Sequence, residues 1–269
     1  MVKKLLKHEF IYYLRTLVFI LPIVLFSGIS FRFTLLFDDL DVIWFVPMLS
    51  GAILLFIFSS FAALLATSIL GVVRFYKNMY SAEGYLTFTL PVNNHQHLWA
   101  KVIALVVCEV GSFLTILISA LIATAGYEPV YDALEQLAFE ISFAIPSGHF
   151  ALLIVELILL YAVAIFTAPL QYYSCISIGQ LAKKNRILLA IGVYYGYSLV
   201  GQFLSTIFSS TFSFSLAFGN LDKLLETIQA NPFGYMHLFL WIIIVFEIGL
   251  AVLFYFVNIR IMNRKLNLE

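Results

Sequence analysis

Apolar residues run through this chain in long blocks, without the alternation of half-buried strands. Six blocks, about Thr16–Phe37, Val42–Val72, Leu98–Ala125, Gly148–Tyr172, Ile187–Phe208 and Leu238–Ile259, are each long enough to cross a hydrocarbon core of roughly 30 Å as helix at about 1.5 Å per residue. They predict an all-α, polytopic membrane protein with a single transmembrane domain over 1–269. Before the first block, Val2, Leu5, Leu6, Phe10, Tyr13, Leu14 and Leu17 fall on one helical stripe, with Lys3, Lys4, Lys7 and His8 opposite. Residues 1–15 therefore read as a basic amphipathic helix lying at the membrane surface. The run Thr16–Phe37 is too long for a signal core and lacks a small-residue cleavage site, so it is read as retained. The second block is over-long, with Pro47 near its outer start, and is expected to tilt or to project into the cytoplasm. Only Asp38–Asp41, a tight acidic turn, joins it to the first.

The longest polar interruption is Val73–Lys101, of which 73–97 form the loop proper. Arg74, Tyr76, Lys77 and Tyr80 suit a short basic and aromatic helix. Gly84 is expected to end it in a left-handed turn, with Glu83 and Tyr85 at its tip and Tyr85–Leu90 extended as far as Pro91. Asn93 or Asn94 then caps the next helix. A loop this ordered suits a docking element for a soluble partner, against the plainer reading of a solvated linker. Two further segments predict amphipathic helices: Val130, Leu134, Leu137 and Ile141 repeat behind Pro129, and Leu221, Leu224, Leu225 and Ile228 behind Asn220, before Pro232.

Composition excludes a soluble domain: of 269 residues 62% are hydrophobic, 17% aromatic and 11% charged, with a mean hydropathy of +1.00. Fifteen Lys+Arg balance fifteen Asp+Glu, so net charge gives no argument for nucleic acid. The distribution of charge is informative. Lys3, Lys4, Lys7, Arg15, Arg74, Lys77, Lys101, Lys183, Lys184, Arg186, Arg260, Arg264 and Lys265 fall on one side of the six-span model, and only Arg32 and Lys223 do not. Cations stay on the cytoplasmic side during insertion, so both termini and Val73–Lys101 are expected there. The loop Ile178–Arg186, with Lys183, Lys184 and Arg186, serves as a topology signal or as a second, smaller cytoplasmic contact. Cys108 and Cys175 have no second Cys or His at ligand spacing and suit neither a disulfide framework nor a metal site.

The stretch FYKNMYSAEGYLTFTLPV resembles the loop between the second and third spans of bacterial type-2 ABC exporter permeases, and the ending NIRIMNRKLNLE resembles their C-terminal tail. The resemblance extends over the whole chain in the spacing of its spans. It implies that the loop carries a coupling helix resting on a separate cytoplasmic ATPase subunit, with Arg74, Tyr76, Lys77, Tyr80, Glu83, Gly84 and Tyr85 as the coupling residues. It implies a second permease, identical or homologous, with the fifth span near the midline, where Gly192 and Gly196 form a G-x-x-x-G that lets helices approach closely. It also implies short outer helices over the exit, a bacterial plasma membrane location among membrane lipids, and export of a peptide, lipid or drug-like substrate. The chain has no G-x-x-x-x-G-K-[ST] phosphate loop. It is therefore expected to bind no cofactor and not to be an enzyme, ATP and Mg belonging to the partner subunit.

Three carboxylates lie inside the blocks: Glu109, Glu156 and Glu247. An ionised carboxylate there costs at least a few kcal/mol on insertion scales. They mark either an intramembrane polar pathway or residues held by Ser, Thr or Tyr of a neighbouring helix. None has an evident cationic partner at similar depth. Pro146-Ser147-Gly148-His149 resembles the central motif of type-2 phosphatidic acid phosphatases, in which that His is a general acid. That family also needs an upstream Lys and Arg-Pro and a downstream Ser-Arg and His-Asp; no Arg-Pro precedes residue 146 and no Asp follows His237, which leaves a phosphate unclamped; Ser147 is otherwise a helix cap. His95 and His97 read as a solvated helix start. A non-transporting peptide sensor or immunity protein, binding through 126–147 and 209–236, is the alternative of a different class.

Overall fold

In a hydrocarbon core every backbone N–H and C=O must find its partner inside the chain, and helix achieves this within one segment. The structure, a computed structural model, describes residues 2–38, 43–89, 91–218 and 231–264, and among these the regular elements are all helices. Five of them, at Lys3–Leu35, Phe45–Tyr80, Asn94–Thr124, Ser147–Gly179 and Phe233–Asn263, are long and apolar enough to cross a membrane. The chain is a multi-pass α-helical membrane protein. Its contacts divide it into two compact units, Met1–Ile145 and Pro146–Glu269.

The first unit contains α1 (Val2–Leu35), α2 (Phe45–Tyr80), α3 (Ala82–Thr89), α4 (Asn94–Thr124) and α5 (Glu128–Ala144). The expected surface helix 1–15 and first span form one helix, because no breaker separates them and Pro22 lies inside α1 without ending it. α1 packs chiefly on α4 and on α2. Small residues bring the first pair together: a Cβ on Gly28 would stand 2.5 Å from the Ser119 carbonyl oxygen. Hydroxyls supply the polar ties that apolar packing lacks. Ser119 donates to the Val24 carbonyl (2.6 Å), Ser27 and Ser59 meet at 2.8 Å, and Thr67 and Ser112 at 2.9 Å. Asn93 accepts backbone bonds from Gln96 and His97 as the N-cap of α4, but its side chain makes no capping bond. Gly126, at φ +69°, turns the chain from α4 into α5. Beside it Tyr127 donates to Asp38 at 2.7 Å; the rest of the expected turn, 39–41, lies outside the described residues. α5 begins at Glu128 with Pro129 in its first turn, as its pattern predicts, and none of its residues is buried.

The second unit contains α6 (Ser147–Gly179), α7 (Arg186–Phe218) and α8 (Pro232–Arg264). α6 packs chiefly on α8 and then on α7. Pro169 interrupts the hydrogen-bond ladder of α6. Asn258 of α8 donates from Nδ2 to the Leu170 carbonyl (3.0 Å) and accepts from Ser177 (2.9 Å). Ser147 is the first helical residue of α6 and makes no capping bond; Pro146 is the N-cap and accepts from the Phe150 amide. α7 continues past the expected end at Phe208 to Phe218. The predicted helix around Leu221–Ile228 lies outside the described residues.

Candidate functional site

Two constellations of polar side chains stand in these apolar units, one in each. The first gathers at the end of α2. Glu9 of α1, buried, accepts from Lys101 Nζ of α4 at 2.6 Å on Oε1 and from Arg74 Nε of α2 at 2.9 Å on Oε2. Asn78, one helical turn after Arg74 and therefore on its face, adds a third bond to Oε1 at 3.2 Å. The Arg74 guanidinium lies 4.4 Å above the Tyr12 ring, a cation–π contact. Three helices are thereby tied by one carboxylate and two cations. Taking charges out of water is repaid only when pairing and hydrogen bonding are this complete.

The next turn of α2 is equally fixed. Phe75, Met79 and Tyr80 are buried, and Phe75 meets Tyr80 edge to face at 5.9 Å. Ser81, at φ −102° and ψ −172°, breaks the helix. α3 follows, and this overturns the expectation of a left-handed Gly84 followed by an extended Tyr85–Leu90. Gly84 lies buried inside α3, its amide donating to the Ser81 carbonyl at 2.7 Å, and helix continues to Thr89. Lys77, Glu83, Tyr85 and Leu86 are exposed, the last two at 54% and 73%, and Tyr76 is half-buried. The predicted coupling residues are thus sorted: Arg74, Tyr80 and Gly84 serve the interior, while Lys77, Glu83 and Tyr85 face outward. His97, expected to be solvated, is buried one turn before Lys101.

The second constellation joins α6 and α8. Glu156 Oε2 lies 2.6 Å from His237 Nδ1, and His237 Nε2 lies 3.2 Å from His149 Nδ1. Glu156 is only 1% exposed, and its Oε1 bonds to nothing among the described residues. His149 also stacks on Phe233, with centroids 4.9 Å apart. Glu156 is met by a histidine rather than by the Ser, Thr or Tyr expected: His237, from outside the assumed span, lies at hydrogen-bond distance from its carboxylate. Glu109 follows that expectation, accepting from Ser68 of α2 at 3.1 Å. Glu247 is half-buried with no described partner. The three carboxylates thus stand in separate surroundings, Glu109 in the first unit and Glu156 and Glu247 on different helices of the second.

An added Cβ on Gly192 or Gly196 would meet nothing within 4 Å, so among the described residues neither glycine packs against a neighbouring helix. Cys108 and Cys175 are buried free thiols. Sequence reasoning missed Glu9, Asn78 and His237. The signal for Glu9 and His237 was an ionisable residue within or beside an apolar stripe; Asn78 gave none. No family model, curated protein or solved structure matches this chain.

Proposed function

We propose that this chain is the membrane-spanning permease subunit of an ATP-driven exporter, working with a separate cytoplasmic ABC ATPase and a second permease in a bacterial plasma membrane. One observation carries the reading: α3 is a short helix that exposes Tyr85 and Leu86 directly after a well-packed end of α2. Tyr85 and Leu86 are exposed on α3, which follows the end of α2. The turn that presents them is held by the buried Phe75, Met79 and Tyr80 and by the Glu9–Arg74–Lys101 ties to α1 and α4. A push on α3 is therefore delivered to three long helices at once, which is what coupling to ATP-driven closure of a partner requires. Adding α7 as a crossing gives six spans, three in each unit, and an even number returns the C-terminus to the cytoplasmic side of the N-terminus. The open face of α7 around Gly192 and Gly196 supports pairing with the second permease. The cargo is a peptide, a lipid or a drug-like molecule, and ATP and Mg belong to the ATPase.

Tyr85→Ala combined with Leu86→Ala tests this reading without disturbing the core, unlike substitution of the buried Tyr80. Anchors of this kind are each worth about 2 kcal/mol or more. The double variant is expected to insert normally yet to lose the ATP hydrolysis that co-purifies with the tagged chain from native membranes. Equal ATPase recovery with both chains would make α3 a linker. Absence of any co-purifying ATPase would overturn the permease reading. A peptide sensor or immunity protein would then lead, favoured by α5, which exposes Leu134, Leu137, Phe139 and Phe143 along an amphipathic helix without a buried residue.

A further inference from the structure

Glu156, His237 and His149 form a file of polar side chains at hydrogen-bond distance from one another. His149 lies in the first turn of α6, His237 near the start of α8, and Glu156 two turns deeper in α6. A neutral imidazole carries its proton on one ring nitrogen and accepts at the other, whereas an imidazolium donates from both. In the bonded file, His237 Nδ1 donates to Glu156. With both rings neutral, His149 Nδ1–H donates to His237 Nε2. One added proton is taken without loss of a bond. It sits on His237 Nε2, which then donates to His149 Nδ1 while His149 carries its own proton on Nε2, or it sits on the unpartnered Glu156 Oε1. The file has no such room for a second charge on the rings. Two imidazoliums present N–H to N–H across 3.2 Å with nearly parallel rings, facing one carboxylate.

We propose that Glu156, His237 and His149 form a proton-operated latch, which ties the start of α6 to the start of α8 and opens when both rings are charged. Besides His149, Glu156 and His237, the titratable groups of the two helices before Arg260 are Tyr161, Tyr172, Tyr173 and Cys175 of α6 and Tyr235, Glu247 and Tyr255 of α8, and Glu247, the one further carboxylate among them, lies beyond His237 toward the far end of α8. α7 has no ionisable side chain from Ser198 to Phe218, and neither α6 nor α8 before Arg260 contains Lys or Arg. The same two helices are joined again about 30 Å of helix farther along α8, where Ser177, Asn258 and the Leu170 carbonyl make a tie with no titratable group. Acid therefore releases one end of the helix pair and leaves the other fastened. The latch lies within the second unit and operates whether or not the chain serves a transporter.

Spin-label distances in lipid nanodiscs test it, with Cys108 and Cys175 replaced by Ala. One label pair, Leu152→Cys with Leu238→Cys, sits near the latch; the other, Phe166→Cys with Phe256→Cys, sits near the neutral tie. Between about pH 8 and about pH 5, where an ordinary imidazole changes charge, the first distance should lengthen and broaden while the second stays constant. His149→Phe retains a ring against Phe233, and His149→Gln retains a hydrogen-bonding group. In either variant the first distance should be the same at both pH values. A first distance indifferent to pH in the parent chain, a shift that survives both substitutions, or an equal shift in the second pair would each overturn the latch.

Discussion

At the scale of single residues, Glu9 carries the electrostatics of the first unit, since both of its oxygens are used and both of the cations it meets depend on it. Removing one partner of a buried ion pair costs about 3–5 kcal/mol, because the remaining charge is left in a poor solvent, whereas an apolar replacement of the whole pair is often neutral. Glu9→Gln should therefore destabilise the folded chain by about that amount in SDS titration from mixed micelles. Glu9→Leu combined with Lys101→Met should recover most of the loss, since Arg74, less buried than Lys101, keeps its stack on Tyr12 and reaches toward water. If Glu9→Gln unfolds like the parent, the network is not structural. None of this pairing was legible in the sequence. Glu9 is separated from Arg74 by 65 residues and from Lys101 by 92, and both cations already had a sufficient explanation as topology signals. The same blindness applied to His237, which lies one position before the assumed start of the sixth span.

At the scale of elements, the existence and order of the long helices were legible because lipid imposes one solution on a long apolar run. Their ends were not. The hydrophobic blocks mark where lipid is, while helix continues into water wherever packing supports it: α2 has 36 residues, about 54 Å at 1.5 Å per residue, well beyond a core of roughly 30 Å. α3 was misread for a related reason. Tyr85, Thr87 and Thr89 favour extended backbone, but such preference is weak, and tertiary context overrides it. Glycine shows how context assigns a role to one residue type. Gly28 faces the backbone of Ser119, so Gly28→Leu should force α1 from α4 and lower the yield of monodisperse protein. Gly192→Leu with Gly196→Leu meets open space among the described residues and should leave the monomer as stable as the parent. Under the proposed function its expected effect is on pairing with a second permease, read as loss of the dimer on a native gel. Equal behaviour of both sets in unfolding and in dimer assays would remove the distinction between an internal contact and an open face.

At the scale of the whole molecule, the sequence gives orientation through charge, and the helices give the crossings that must agree with it. Lys77 lies at the end of α2 and Lys184 between α6 and α7, while Asp132 lies in α5. Each is exposed, so a cysteine in its place reports the compartment around it rather than its burial. Cys108 and Cys175 are buried and contribute little background. Cations are retained in the cytoplasm during insertion while acidic segments contribute little to orientation, so the two lysine positions should be shielded together. In sealed cells a membrane-impermeant maleimide is expected to modify Asp132→Cys but neither Lys77→Cys nor Lys184→Cys, and all three after permeabilisation. Between the two lysine positions lie α4 and α6, both long and apolar enough to cross a membrane. Labelling of Lys184→Cys from outside with Lys77→Cys protected would mean an odd number of crossings between them. Labelling of Lys77→Cys from outside would invert the chain and move α3 away from any cytoplasmic ATPase, which would exclude coupling through Tyr85 and Leu86.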